Sequence, residues 1–534
     1  MKKVALTVVI LFSFGALADE GHHHEDLTPD QLGTVHFPVS CAPAVQKPFE
    51  RGVALLHSFW YEEAEKEFGQ IAKDDPQCAM AHWGIAMSIW HELWDEPNAA
   101  TIKRGHTEIK TAGSLHPRTD RERAYITAMD EFYRGKKRNY QDRADTYCQA
   151  MATTHQDYPN DLEAAAFYAL ALLASEPDND TTFANRKQAA AVLEKLFTVE
   201  PDHPGVAHYL IHSYDKPQLA QLGLPAARRY AQIAPAAPHA LHMPSHIFAR
   251  LGLWQDDINS NLASIAATRK TAAMHMGGKG HQFHAMDFLV YAYLQSGREA
   301  DAQRVIDEVK AMPAKKDDMY GMDFDPRTDA LVTFTARYAL EMHHWRDAAS
   351  LELIPGAETG DNSITYWART IGAARTGNVA DARKDLAEIE NVHAALLKQK
   401  KATLAAAVEQ DRQEAAAWVA HAEGDNDDAI RTLRTIAEKE EAEGHEPLAI
   451  PAREMLADML LDMNHPEQAL AEYEADLKFY PNRFNGLYGA ARAAEMAGKS
   501  EKSNGYYARL VKICDGSTSD RSELNRAKAL LAQK

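Results

Sequence analysis

His208 and His212 in the stretch HYLIHSYD stand four residues apart, and His242 and His246 in HMPSHIFA repeat that spacing 34 residues later. Pro204 and Pro238, just ahead of each pair, are also 34 apart. Side chains four apart on a helix share one face. If 34 residues is one repeat of a stacked array, four imidazoles converge on one patch, because neighbouring helices pack about 8–10 Å apart. Imidazole nitrogen suits zinc, copper and nickel. The spacing therefore predicts a zinc or copper ion held by His208, His212, His242 and His246, with His239 one turn earlier. Aligning the next repeat backwards from its turn, Gly297 on Gly252, sets His284 in register with His239, Asp287 with His242 and Tyr291 with His246. Asp287 would serve as ligand or as a hydrogen-bonding partner behind one. Met243, Met274 and Met276 would add soft donors for Cu(I).

Two other readings of these histidines stay open. Clustered imidazoles can line a groove that binds a peptide or small ligand, or they can be satisfied, partly buried side chains that shape the array. Pro244, between His242 and His246, removes a backbone donor and threatens their shared face. The spacing resembles the zinc-protease HExxH only in its histidines, since Tyr209 and Met243 stand where that motif needs a glutamate base. No phosphate-binding glycine loop and no nucleophile elbow is present, so the expectation is a binding module and not an enzyme. A metal-dependent hydrolase with Asp287 as base is the alternative, and a protein-interaction scaffold without metal is the third.

The elements that must position these residues read as helices throughout. EEAEKEFGQIAKDDP has apolar residues at helical spacing and stops at proline. TDRERAYITAMDEFY opens with a capping box, Thr119 and Glu122. PEQALAEYEADLKFYP runs between prolines with Ala469, Tyr473 and Leu477 on one face. MAHWGIAMSIWHELW gives Trp83, Met87, Trp90, His91 and Trp94 one rich face, expected as core or groove wall. Ala64, Phe68 and Pro76 share their spacing with Ala469, Tyr473 and Pro481.

That A-x3-F…P spacing and the 34-residue period resemble the tetratricopeptide repeat family over most of the chain. The resemblance implies an all-α, TPR-like α-solenoid of stacked antiparallel helix pairs with a concave groove, and a peptide or protein as groove partner. HFPVSC, ALLHSFWYEEAEKEF, CAMAHWGIAM and HALHMPSHIFARLGLW together look like a group of exported bacterial tetratricopeptide proteins. This second likeness implies fold and export but no catalytic residue.

Lys2 and Lys3, the apolar run Val4 to Leu17 and the small residues of Ala16-Leu17-Ala18 read as a cleaved signal peptide, residues 1–18, and hence a periplasmic or secreted protein. An oxidising compartment permits a disulfide, and Cys41 and Cys78, which bracket the first helical pair, are the expected partners. The chain has 534 residues and a formal charge of -19, which argues against nucleic acid as partner and favours cations or basic peptides. No further apolar stretch is long enough to span a membrane. The expected organisation is a polar leader over 19–43 (including GHHHED), an N-terminal array over 44–310, a hinge or long loop over 311–326 and a C-terminal array over 327–534.

Overall fold

The structure, a computed structural model, describes residues 27–533 except 95, 136, 178–179, 275, 277–279, 314–324, 359 and 445–446. The expected signal peptide, GHHHED and most of the 311–326 segment lie outside the described residues. The described residues form helices and no strand. Each helix packs on the next in sequence, and alternate helices also touch, as in Gln46–His57 with Ala79–Ser88 and Ala452–Asp462 with Phe484–Met496. This packing of each helix mainly on its neighbours in sequence is that of a TPR-like α-solenoid. No described helix is long and apolar enough to cross a membrane.

The repeat motif works through close packing. In the helix Tyr61–Asp74, Ala64, Phe68 and Ile71 are buried one turn apart. The Phe68 ring lies so close to Gly84 that a Cβ there would overlap it. Tyr473 meets Gly489 in the same way near the other end of the chain. Glycine at these places lets one helix backbone approach an aromatic ring of its neighbour. The capping box at Thr119 forms as its spacing predicts, with the hydroxyl accepting from the Glu122 amide at 3.1 Å.

Turns between paired helices share one device. The residue after the first helix adopts a left-handed conformation, and the next amide bonds back to a carbonyl five residues earlier, as in Leu253 to Phe248 at 2.9 Å and Arg298 to Tyr293 at 2.8 Å. Glycine fills the left-handed position at Gly252, Gly297, Gly377, Gly424 and Gly498, as sterics favour. In the first pair Phe59 fills it, with φ of 50°, at a cost of about 1–2 kcal/mol.

Residues on either side of the 311–326 segment pack together. One apolar cluster runs from Ala249 and Trp254 through Phe334 to Leu448. At its edge Arg483, with no solvent exposure, donates to Glu454 at 2.8 and 2.9 Å, to Glu341 at 2.9 Å and to the Tyr291 hydroxyl at 2.6 Å. Trp254 Nε1 also donates to the Asn482 carbonyl at 2.8 Å. A disulfide joins Cys41 to Cys78, the pair that the sequence favours, and ties the leader to the first helices. Cys148 and Cys514 are free thiols.

Removing Arg483 leaves two carboxylates buried without their cation. Arg483→Leu should lower the unfolding free energy by roughly 3–5 kcal/mol in urea denaturation, and a loss under about 1 kcal/mol would mean that the buried pair contributes little. A second expectation concerns Asp411, whose carboxyl burial pushes up to about 7, against an opposing hydrogen bond from Ser363. A carboxyl raised on folding contributes stability that is whole below its unfolded pKa of 3.8 and is lost as pH rises through about 7. Asp411→Asn should therefore gain on the wild type between pH 4 and pH 8, read as the difference in their urea midpoints. A difference that stays flat or shrinks over that range contradicts this.

Candidate metal centre

The first histidine pair sits on the helix Pro204–Tyr214. Pro204 occupies its first turn, and the His203 ring caps it by accepting from the Val206 amide at 3.2 Å. His208 is buried and His212 half-buried. Their Nε2 atoms stand 3.1 Å apart. The second pair belongs to two short consecutive helices, Pro238–His242 and Pro244–Arg250. Met243 joins them with helical dihedrals, φ -52° and ψ -33°. Pro244 falls in the first turn of the second helix, where a missing donor costs little. His242 and His246 consequently keep one face, with Nε2 atoms 3.1 Å apart.

The four histidines do not form the single shell that their period suggests. They divide into two triads. His208, His212 and His239 offer ligand nitrogens within 4.8 Å of one another, and His242, His246 and His284 do the same. His239 Nε2 lies 3.1 Å from His208 Nε2. His284, from the helix Gly280–Gln295, brings its ring 4.5 Å from that of His242 and 5.6 Å from that of His246. The triads are neighbours, since the His239 and His242 rings are 6.1 Å apart. The division follows from helix phase. Along Pro238–Arg250, His239 points back to the preceding repeat, while His242 and His246 face the following one.

Asp287 joins neither triad. It forms an ion pair with Arg337 from the helix Pro326–Glu341. Tyr291, aligned with His246 by the sequence, accepts from Arg483 instead. Met243 and Met276 are buried in the apolar core and Met274 is exposed. His281 stacks beside the first triad, 5.2 Å from His239 between ring centres.

Partners that the sequence does not advertise fix the rings. His208 Nδ1 donates to the His57 carbonyl at 2.6 Å, from a helix 151 positions away. His242 Nδ1 donates to Asn261 Oδ1 at 2.7 Å. Asn261 is oriented by its own amide, which donates to the Asp257 carbonyl at 3.0 Å and carboxyl at 2.7 Å. His246 Nδ1 donates to Asp215 Oδ2 at 2.8 Å, and Arg250 holds the other oxygen at 2.9 Å. Burial pushes the Asp215 carboxyl up, but Arg250 and His246 outweigh it and hold it well below the usual range. An acceptor on each Nδ1 leaves the Nε2 of His208, His242 and His246 with a bare lone pair aimed into the site.

Aromatic rings wall both triads. Phe59 lies 4.3 Å from His208, 5.6 Å from His212 and 5.5 Å from His239 between ring centres. Trp94 stands 5.1 Å from His239. Phe288 lies 4.9 Å from His242 and 4.6 Å from His246. The rich face of MAHWGIAMSIWHELW thus divides. Trp83, Met87 and Trp90 are core, and Trp94 reaches the site. Burial lowers the basicity of His212 to about 3 and of His281 to about 4, and pushes His208, His239 and His242 well below the ordinary imidazole value. His284 is lowered too, by desolvation and by the neighbouring His246 and His281, against an opposing pull from Asp215.

Two further clusters have metal-like composition. Cys41, Asp75 and Cys78 lie together, but the disulfide consumes both thiols. His57, Glu163 and His203 are fully buried and mutually satisfied. Glu163 accepts from His57 at 2.8 Å and from His203 at 3.0 Å, and the other His57 nitrogen meets the Tyr209 hydroxyl at 2.8 Å. That cluster is a hydrogen-bonded core, and it holds the His57 carbonyl against His208.

No protein-family model matches the sequence, and comparison with curated proteins finds no match. Among solved structures, the chain is similar to the human IFIT1 dimer with m7Gppp-AAAA at 13% identity, covering 82% of this chain and 90% of that one with a TM-score of 0.33. A monomeric IFIT1 mutant with Gppp-AAAA gives 12% identity, 92% and 100% coverage and a TM-score of 0.36. The TPR domain of P58(IPK) gives 14% identity, 70% and 99% coverage and a TM-score of 0.21.

Proposed function

We propose that this chain is an exported α-solenoid whose central repeats bind a transition-metal ion through histidine. One observation carries the reading. His242 and His246 both donate from Nδ1, to an amide oxygen and to a carboxylate, so their Nε2 atoms meet at 3.1 Å as two lone pairs. Two such atoms cannot hydrogen-bond to each other. A cation bonded to both removes the conflict. Two metal–nitrogen bonds of 2.0–2.1 Å at a tetrahedral angle put their nitrogens about 3.3 Å apart. The acceptors behind the rings are of the kind that orients metal-bound histidines.

The observations favour binding over hydrolysis, because Arg337 engages Asp287, the one carboxylate assigned to a base. Around the centre the array offers helix faces to a peptide or protein, and the charge of -19 favours a basic one. The Cys41–Cys78 bridge supports passage through an oxidising compartment.

Untagged protein stripped with a chelator should bind added Zn(II) or Cu ions saturably in calorimetry and gain thermal stability with metal concentration. The double variant His208→Ala, His242→Ala should lose both responses while its circular dichroism stays helical. Absence of saturable binding by the wild type would remove the metal, leaving the histidines as structural groups. Export has its own check. Protein from the native host should have the intact mass of a chain starting at Asp19, and retention of residues 1–18 would contradict it.

A further inference from the structure

We propose that the centre holds two copper(I) ions, one in each histidine triad. This rests on the metal-binding reading and goes beyond it in number and kind of ion.

The number follows from the donor geometry. Six histidines fall into two sets of three, and within each set the ligand nitrogens lie inside 4.8 Å. Each set has its own close contacts, 3.1 Å for His208 with His212 and with His239, and 3.1 Å for His242 with His246. No comparably short contact joins one set to the other, whose nearest rings, His239 and His242, are 6.1 Å apart between centres. A single ion with bonds of about 2.0–2.1 Å reaches only one set. Each set also has its own fixing group behind a ring, the His57 carbonyl for the first, Asn261 and Asp215 for the second. Each is therefore built as a site in its own right.

The kind of ion follows from charge. All six donors are imidazoles, and no carboxylate belongs to either triad. The one carboxylate bonded to a donor ring, Asp215, is already paired with Arg250. Two divalent ions would place four positive charges beside Phe59, Trp94 and Phe288 with no net anion to balance them. Burying unbalanced charge among aromatic rings is costly. Two monovalent ions halve that charge. Copper is the first-row metal that binds imidazole as a monovalent ion, and three neutral nitrogens complete its coordination, whereas zinc requires a fourth ligand.

The test counts copper. Chelator-stripped protein, reduced and anaerobic, is equilibrated with bicinchoninate-buffered Cu(I), desalted and measured by elemental analysis. Two copper atoms per chain are expected. His212→Ala and His284→Ala remove half-buried and exposed rings, so each should fold, verified by circular dichroism, and each should retain one copper. A tenfold excess of Zn(II) should not displace the Cu(I). One copper in the wild type, with either variant at zero, would overturn the pair while leaving the metal-binding function intact. Two ions displaced by Zn(II) would overturn the copper assignment alone. No bound metal of either kind would overturn this proposal together with the function it rests on.

Discussion

Facing lone pairs constrain the centre of this molecule. A neutral imidazole with a donor on one nitrogen has only an acceptor on the other. Asn261 and Asp215 make that choice for His242 and His246, and their Nε2 atoms are left 3.1 Å apart. The His57 carbonyl makes the same choice for His208, whose Nε2 meets two more imidazoles at 3.1 Å. Several layers of structure hold this arrangement. Asp257 aims Asn261, Arg250 anchors Asp215, and the buried Glu163 bridge between His57 and His203 fixes the helix end that presents the carbonyl. Sites that must act on a ligand are held in this way, with the supporting shell settled before the ligand arrives.

The solenoid supplies what a compact fold supplies less easily, a regular stack in which one helix serves two neighbours. His239 and the pair His242 and His246 lie on one kinked segment and reach opposite ways. Pro244 permits the kink without unpairing a buried amide, because it falls where the helix would have a free donor anyway. At Phe59 the same economy runs in reverse. Five other turns of this type use glycine, while His343, Lys400 and Asn464 share the left-handed position with Phe59, whose ring lies against His208, His212 and His239.

The helix pairs were readable because their signals are local. A capping box, an A-x3-F spacing and a stop at proline each act within about ten residues. The 34-residue period likewise revealed that His208, His212, His242 and His246 gather in one region. It could not show that they split, since the split depends on the rotation of each helix about its axis, which sends His239 and His242 of one helix to different neighbours. The alignment that paired Asp287 with His242 failed for a similar reason. The loop before it is not of repeat length, and Arg337, 50 positions on, claims the carboxylate. The supporting groups were invisible for want of any local mark. Nothing about His57 predicts that its carbonyl meets a ring 151 residues later.

Two positive species can settle between facing lone pairs, a proton or a metal ion, and burial weighs against the proton at the buried rings. A proton on His242 would make a buried imidazolium, and burial opposes that charge, pushing this ring well below the ordinary imidazole value. For a histidine lowered on folding, the stability held above its unfolded value near 6.5 drains as pH falls toward the folded one, so the protonated enclosure is the weaker state. A metal ion also brings charge, but it spreads that charge over three nitrogens and forms a bond to each. Burial that excludes the proton thus keeps the rings in the form a metal needs. The enclosure and the ligands are for this reason one device. Opening the wall to water at Phe59 or Phe288 would raise the basicity of the rings and let protons compete for the same lone pairs.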